Sequence, residues 1–173
     1  MVEACAWQVC ALHNLDLSGK SRSKNWEGLQ KMGKTINFTV DGAPVAKGRP
    51  RFARRGKFIS TYTPSKTRSY EEKVGIEAAL SMCGLQPLQG PLKCKIDMYM
   101  PIPKSATKKM QAEMSKNAME HIKKPDLDNL AKSILDAMNG ICYLDDAQII
   151  SLCISKKYSL YPAIDVEIHE VCA

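Results

Sequence analysis

Leu92-Lys93-Cys94-Lys95-Ile96-Asp97-Met98-Tyr99-Met100 alternates apolar and polar side chains along its whole length. A period of two puts Leu92, Cys94, Ile96, Met98 and Met100 on one face, which predicts a strand buried on one side. Farther on, the period changes. Leu127, Leu130, Ala131, Ile134 and Met138 fall at helical spacing, and Gly140 stops the run. Asp126 stands at the N-cap position behind Pro125, a residue tolerated at helix entrances.

Outward from these two segments, residues 35–40 alternate as a short strand, and Asp41-Gly42 signals a turn. Residues 58–62 read as another short strand. Thr63-Pro64 opens a helix, with Thr63 as cap, that runs to about Cys83 and ends at Gly84. Residues 105–119 read as a short Lys-rich helix, and 148–158 and 163–171 as two final strands. Strands and helices mix without a regular βαβ period. The expected fold is therefore α+β: a single domain with a small mixed sheet packed by about three helices.

A chain of 173 residues has room for one proper core. Residues 1–31 are aperiodic, with a polar run Ser18-Gly19-Lys20-Ser21-Arg22-Ser23. They divide an N-terminal extension (1–33), expected to be disordered or foreign to the native protein, from a folded domain (34–173). The codons of Trp26-Glu27-Gly28 can spell a purine-rich ribosome-binding sequence, so Met32 is the expected native start.

No apolar run approaches the ~18 residues that span a bilayer, and no signal-peptide pattern opens the chain. The seven cysteines are scattered, without CxxC pairs or zinc spacing, and Cys94, Cys142 and Cys153 read as thiols of a reduced core. A cytoplasmic protein without membrane attachment is expected.

The net charge is +7 and the pI near 9.0, which weakly favours a polyanionic partner. Distribution says more. Residues 44–73 carry nine Lys/Arg against two Glu, whereas 125–147 carry five Asp against one Lys. A basic surface attracts phosphates, and an acidic pocket holds the cation that activates them.

Residues two apart on a helix point to nearly opposite sides, so Asp126 and Asp128 face one ion only if Asp126 lies at or before the helix start. Asp128, Lys132 and Asp136 share a face at i, i+4 spacing, turned from the apolar stripe. After Gly140 the chain turns back, and Asp145-Asp146 can bring a third carboxylate near the helix start. Such a set suits Mg²⁺, which prefers oxygen ligands and keeps several waters. Taken singly, the same residues are a helix cap, a surface ion pair and a turn. A calcium loop fails, because Ala131 stands where its glycine belongs and Ala137 where its glutamate belongs.

The runs Lys124-Pro125-Asp126-Leu127-Asp128-Asn129-Leu130-Ala131-Lys132, Leu135-Asp136-Ala137-Met138-Asn139-Gly140 and Tyr143-Leu144-Asp145-Asp146-Ala147-Gln148-Ile149 resemble the RusA family of Holliday junction resolvases. So do Gly48-Arg49-Pro50-Arg51-Phe52, Tyr62-Thr63-Pro64 and Ile102-Pro103-Lys104-Ser105, in the manner of its phage, prophage and Gram-positive members. The likeness extends from about Lys34 to the C-terminus.

The resemblance implies an endodeoxyribonuclease that works as a homodimer on four-way junction DNA in recombination and repair. It would use Mg²⁺, or Mn²⁺ in its place. It implies Asp126, Asp128 and Asp146 as metal-binding carboxylates and Lys132 as a catalytic lysine, with Asp145, Asp136 and Asn129 as supporting residues. The basic stretch Lys47, Arg49, Arg51, Arg54, Arg55 and Lys57, with Lys124, is the expected DNA clamp, and Lys108, Lys109 and Lys123 are further candidates. Phe52 and Phe58 either stack on exposed bases or anchor the stretch, the second being favoured for Phe58. His121 and His169 read as surface residues. The competing interpretation is a non-catalytic protein that holds branched or single-stranded DNA with the same basic stretch.

Overall fold

The alternation at Leu92 is a strand, β4 in chain order (Leu92–Pro101), with Leu92, Cys94, Ile96, Met98 and Met100 buried and the intervening residues half-exposed. The computed structural model describes residues 32–49, 51–55 and 58–171, with the backbone alone for residues 32, 51, 53–55 and 58–61. Residues 1–31 of the expected extension (1–33), and Lys57, lie outside the described residues, whereas its last two residues, Met32 and Gly33, are already strand and belong to the folded domain.

Around β4 stand β1 (Met32–Asp41), β5 (Ile149–Ser159) and β6 (Ala163–Val171), in the order β1-β6-β4-β5. β6 is antiparallel to both β1 and β4, whereas β5 runs parallel to β4. The sheet is therefore mixed, and the fold is α+β in a single domain. Two helices supply the apolar cover: α1 (Ser65–Met82) through Tyr70, Val74, Ala78 and Met82, and α3 (Leu127–Met138) through Leu130, Ile134 and Met138. α2 (Lys108–Ser115) is shorter than the sequence predicts, because Thr107 caps it by accepting from the Met110 amide at 3.3 Å. No helix among the described residues is long and apolar enough to cross a membrane.

The other face of the sheet is polar and cross-linked by its side chains. Thr39 donates to Asp165 at 2.8 Å, Ser155 to Asp97 at 2.5 Å, and Thr35 meets His169 at 3.0 Å. Cys153 belongs to this face. It pairs with Lys95 and is exposed, so it is no core thiol, contrary to expectation. Cys94 and Cys142 are buried as expected, and burial pushes their thiols up to about 12 and about 11.

Three boundaries also move. β1 starts at Met32, and α1 is capped by Pro64, whose extended ψ of 138° leaves Thr63 outside. The expected strand at 58–62 is present, and the basic stretch supplies its partner. Arg51–Arg55 (β2) and Phe58–Tyr62 (β3) pair as an antiparallel hairpin, a two-stranded sheet of its own. The segment leading into it is seated on α1, where the Gly48 amide donates to Thr67 Oγ1 at 3.2 Å.

A Cβ on Gly48 would lie 2.9 Å from Pro64 Cγ, closer than real contacts allow, and 3.0 Å from Thr67 Oγ1, a tight contact. Gly48→Val should therefore destabilise the domain by about 1–3 kcal/mol. Urea unfolding measures this, and an unchanged midpoint would mean that the segment lifts off α1 without cost.

Candidate functional site

The chain enters α3 through a tethered loop. Lys156, on β5, donates from Nζ to the carbonyls of Lys123 (3.0 Å) and Pro125 (2.9 Å), and the Lys124–Pro125 peptide is cis. Beside this tether, His121 packs on Tyr158 with ring centroids 4.5 Å apart. His121 is buried, not a surface residue as the sequence predicts, because Tyr158 projects onto it from the strand. Burial, and then the charges of Lys156 and Lys123, hold its imidazole below the ordinary histidine range.

The loop delivers Asp126 to the N-cap of α3 with ψ at 146°, but its carboxylate makes no capping hydrogen bond. Asp128 follows in the first turn. Both are exposed, at the end of a helix whose dipole favours negative charge. Leu130, Ala131, Ser133, Ile134 and Met138 face inward, so Asp128 and Lys132 share the outer face.

Beyond the other end of α3, Gly140 reverses the chain with φ at 75°. The Cys142 amide donates to Met138 O at 3.0 Å, and the buried Tyr143 hydroxyl donates to Leu135 O at 2.9 Å. Next comes a single 3₁₀ turn, Asp146–Gln148. Asp145 caps it, accepting from the Ala147 amide at 2.8 Å, so its carboxylate is structural.

Gln148 fixes the whole turn. Its Oε1 accepts from the amides of Leu144 (2.9 Å) and Asp145 (3.1 Å), and its Nε2 donates to Leu88 O and Gly90 O, both at 3.1 Å. Asp146 is left exposed on this clamped turn. Neither Gln148 nor Lys156 stands out in the sequence as a site residue. The Asp-Asp-x-Gln spacing contains the first, but nothing local signals the second.

Asp126 and Asp128 thus lie together at the head of α3, and Asp146 lies on a turn tied to its tail. Twelve residues make a helix of about 18 Å. Among the described residues no three Asp, Glu, His or Cys side chains converge into a metal cage. In donor chemistry, the exposed carboxylates of Asp126 and Asp128 fit Mg²⁺, which takes one or two carboxylates and fills the rest of its octahedron with water. In position, Asp146 does not join them within one chain.

The basic side divides in two. Lys47 donates its amide to Asn129 O at 2.9 Å, and its ammonium lies 2.6 Å from Glu71 and 2.7 Å from Asp136. Burial lowers the Lys47 pKa, but the hydrogen bonds and charges of Asp136 and Glu71 outweigh it, and the pKa ends above the ordinary lysine value. Lys47 and Asp136, expected as a DNA contact and a support of the metal site, are thus paired with each other. Arg49, Lys123, Lys124, Lys108 and Lys109 are exposed, and so is Phe52, at 74%. Arg51, Arg54 and Arg55 are placed by their backbone in the hairpin.

The family model of Endodeoxyribonuclease RusA matches residues 41–169. The uncharacterized protein YqaN of Bacillus subtilis (strain 168) is 36% identical over 143 residues, covering 80% of this chain and 98% of that protein.

Two expected outcomes follow from the geometry. Gln148→Leu leaves two amides and two carbonyls without partners, which should cost about 1–3 kcal/mol. Hydrogen exchange at the Leu144 and Asp145 amides should speed up more than in the sheet, and equal exchange would show that the turn holds without the clamp. His121 supplies a pH dependence. Its folded pKa lies below the unfolded value of 6.5, so the unfolded chain binds the proton more readily, and stability drains away as pH falls below 6.5. His121→Phe should therefore flatten the loss of urea midpoint between about pH 7 and pH 5. Parallel slopes in the two proteins would place the acid sensitivity elsewhere.

Proposed function

The chain belongs to the RusA endodeoxyribonuclease family, and we propose that it resolves four-way DNA junctions as a Mg²⁺-dependent homodimer. The observation that carries this reading is the head of α3. Two adjacent carboxylates stand there exposed, with no hydrogen bond or ion pair among the described residues, and Lys132 lies one turn along the same face.

In this reading Asp126 and Asp128 hold the cation, and Asp146 is its third carboxylate. When bound, such an ion would supply a water of lowered pKa and a counter-charge for the leaving oxygen, and Mn²⁺ would suit the same oxygen donors. Lys132 meets the negative charge that develops on the phosphate. Lys156 fixes the approach to Asp126, and Gln148 fixes the turn of Asp146. Neither needs to touch DNA.

The homodimer resolves the separation of Asp146 from the other two. In a two-fold interface, whatever one copy contributes to its partner it also receives, so the tail of one α3 meeting the head of the other completes two equal sites. Two equal sites suit a junction that is itself two-fold and allow paired, symmetric cuts. The hairpin and Arg49, with Lys123 and Lys124 beside Asp126, supply the positive charge that attracts the phosphates.

Asp146→Asn tests the assignment. Losing a ligand should abolish cleavage of a synthetic four-way junction in Mg²⁺, while binding stays at least as tight, since removing negative charge does not weaken phosphate attraction. Measured by gel shift in EDTA and by cleavage in Mg²⁺, an active Asp146→Asn enzyme would sink the ligand assignment. A wild-type chain that binds the junction and leaves it intact in Mg²⁺ would instead make it a binding protein.

A further inference from the structure

We propose that Lys47 is a positioning residue for Lys132: by binding Asp136 it keeps that carboxylate away from Lys132, whose ammonium stays available to the DNA phosphate. The proposal rests on the role given to Lys132 above.

Lys132 stands between Asp128 and Asp136 on one face of α3, four residues from each. Opposite charges at that spacing are neighbours on a helix and ordinarily pair. A lysine so placed would be held by its own helix, and a held ammonium meets a phosphate only after breaking a bond. Of its two acidic neighbours, Asp128 is the one assigned to the cation. Asp136 needs another partner.

Lys47 is that partner, and the fold delivers it from far away in sequence. The backbone bond from the Lys47 amide to Asn129 O lays the residue on α3. Its ammonium then reaches Asp136 Oδ2 at 2.7 Å and Glu71 Oε1 at 2.6 Å, tying α3 to α1. Among the described residues Lys132 has no ion-pair partner, so the carboxylate it would compete for is occupied. Lys47 itself faces two carboxylates with one charge. It would have to abandon both to bind a phosphate, which makes it a poor DNA contact despite its place in the basic stretch.

The test is steady-state cleavage of a four-way junction in Mg²⁺, with binding in EDTA and melting measured beside it, all assays run about 15 °C or more below every variant's melting point. Lys47→Met should lower kcat about tenfold while KM and the EDTA binding constant stay within about twofold. Adding Asp136→Asn removes the freed carboxylate and should bring kcat back to within about threefold of wild type, and Lys47→Arg should keep it there. A merely structural role would not separate kcat from KM in fully folded protein. A double variant as slow as Lys47→Met would overturn the proposal. So would weaker EDTA binding by Lys47→Met, which would make Lys47 a phosphate contact. Full activity of Lys132→Met would overturn the reading beneath it, and is seen independently of Lys47.

Discussion

β5 lies parallel to β4, and most of the site follows from that one pairing. Parallel neighbours cannot be joined by a hairpin, because the chain must return to the end where it began before it enters the second strand. The return here is carried by α2, α3 and the turns beside them. The carboxylates proposed to hold the cation and Lys132 all lie in this crossover, whereas the hairpin and Arg49 come from before β4. α3 is kept on the sheet by its apolar stripe, and its outer face is left for chemistry.

A crossover helix can slide or tilt unless its ends are fixed, and here both ends are held from the same edge of the sheet. Lys156 on β5 grips the carbonyls before the head of α3, and Gln148, just before β5, grips the turn after its tail. Each clamp satisfies backbone groups that would otherwise depend on water. A net hydrogen bond contributes only about 1 kcal/mol, but each clamp makes at least two, and those to Pro125, Leu88 and Gly90 are half-buried, so both clamps resist small displacements. The site is thereby positioned by residues that need no contact with the substrate.

What the sequence revealed was whatever depends on local periodicity. The alternation in β4 and β6 and the helical stripe of α3 stand where the pattern puts them, since one buried face per element leaves a clear period. Of the basic hairpin, the second strand stands where the sequence puts it, but the first, Arg51–Arg55, was illegible because three of its five residues are Arg and no alternation marks a buried side. His121 and Cys153 were misplaced for tertiary reasons: Tyr158 covers the first, and the open face of the sheet exposes the second. The aspartates of the site were found by their motif, but the motif does not say that a helix separates Asp146 from the other two. Lys47 was read by its neighbours in the chain, which are basic, whereas its partners in space are Glu71 and Asp136.

The pattern of charge pairing carries the last step. In a chain with 25 Lys and Arg against 18 Asp and Glu, a carboxylate has no shortage of cations. Several are taken: Glu71 and Asp136 by Lys47, Glu72 by Arg68, Asp97 by Lys95. Such exposed or half-exposed pairs add little to stability, typically about 0–1 kcal/mol, so stability alone does not choose which acids are paired. Among the described residues Asp126, Asp128 and Asp146 are not. The repulsion between the first two is partly offset by the N-terminal dipole of α3, which makes that end a tolerable place to keep them. On the proposed reading, negative charge left uncompensated beside a basic surface would be matched by a divalent cation. It would also repel the DNA backbone until that cation arrived, so binding of a junction and readiness to cut it would be governed by different charges.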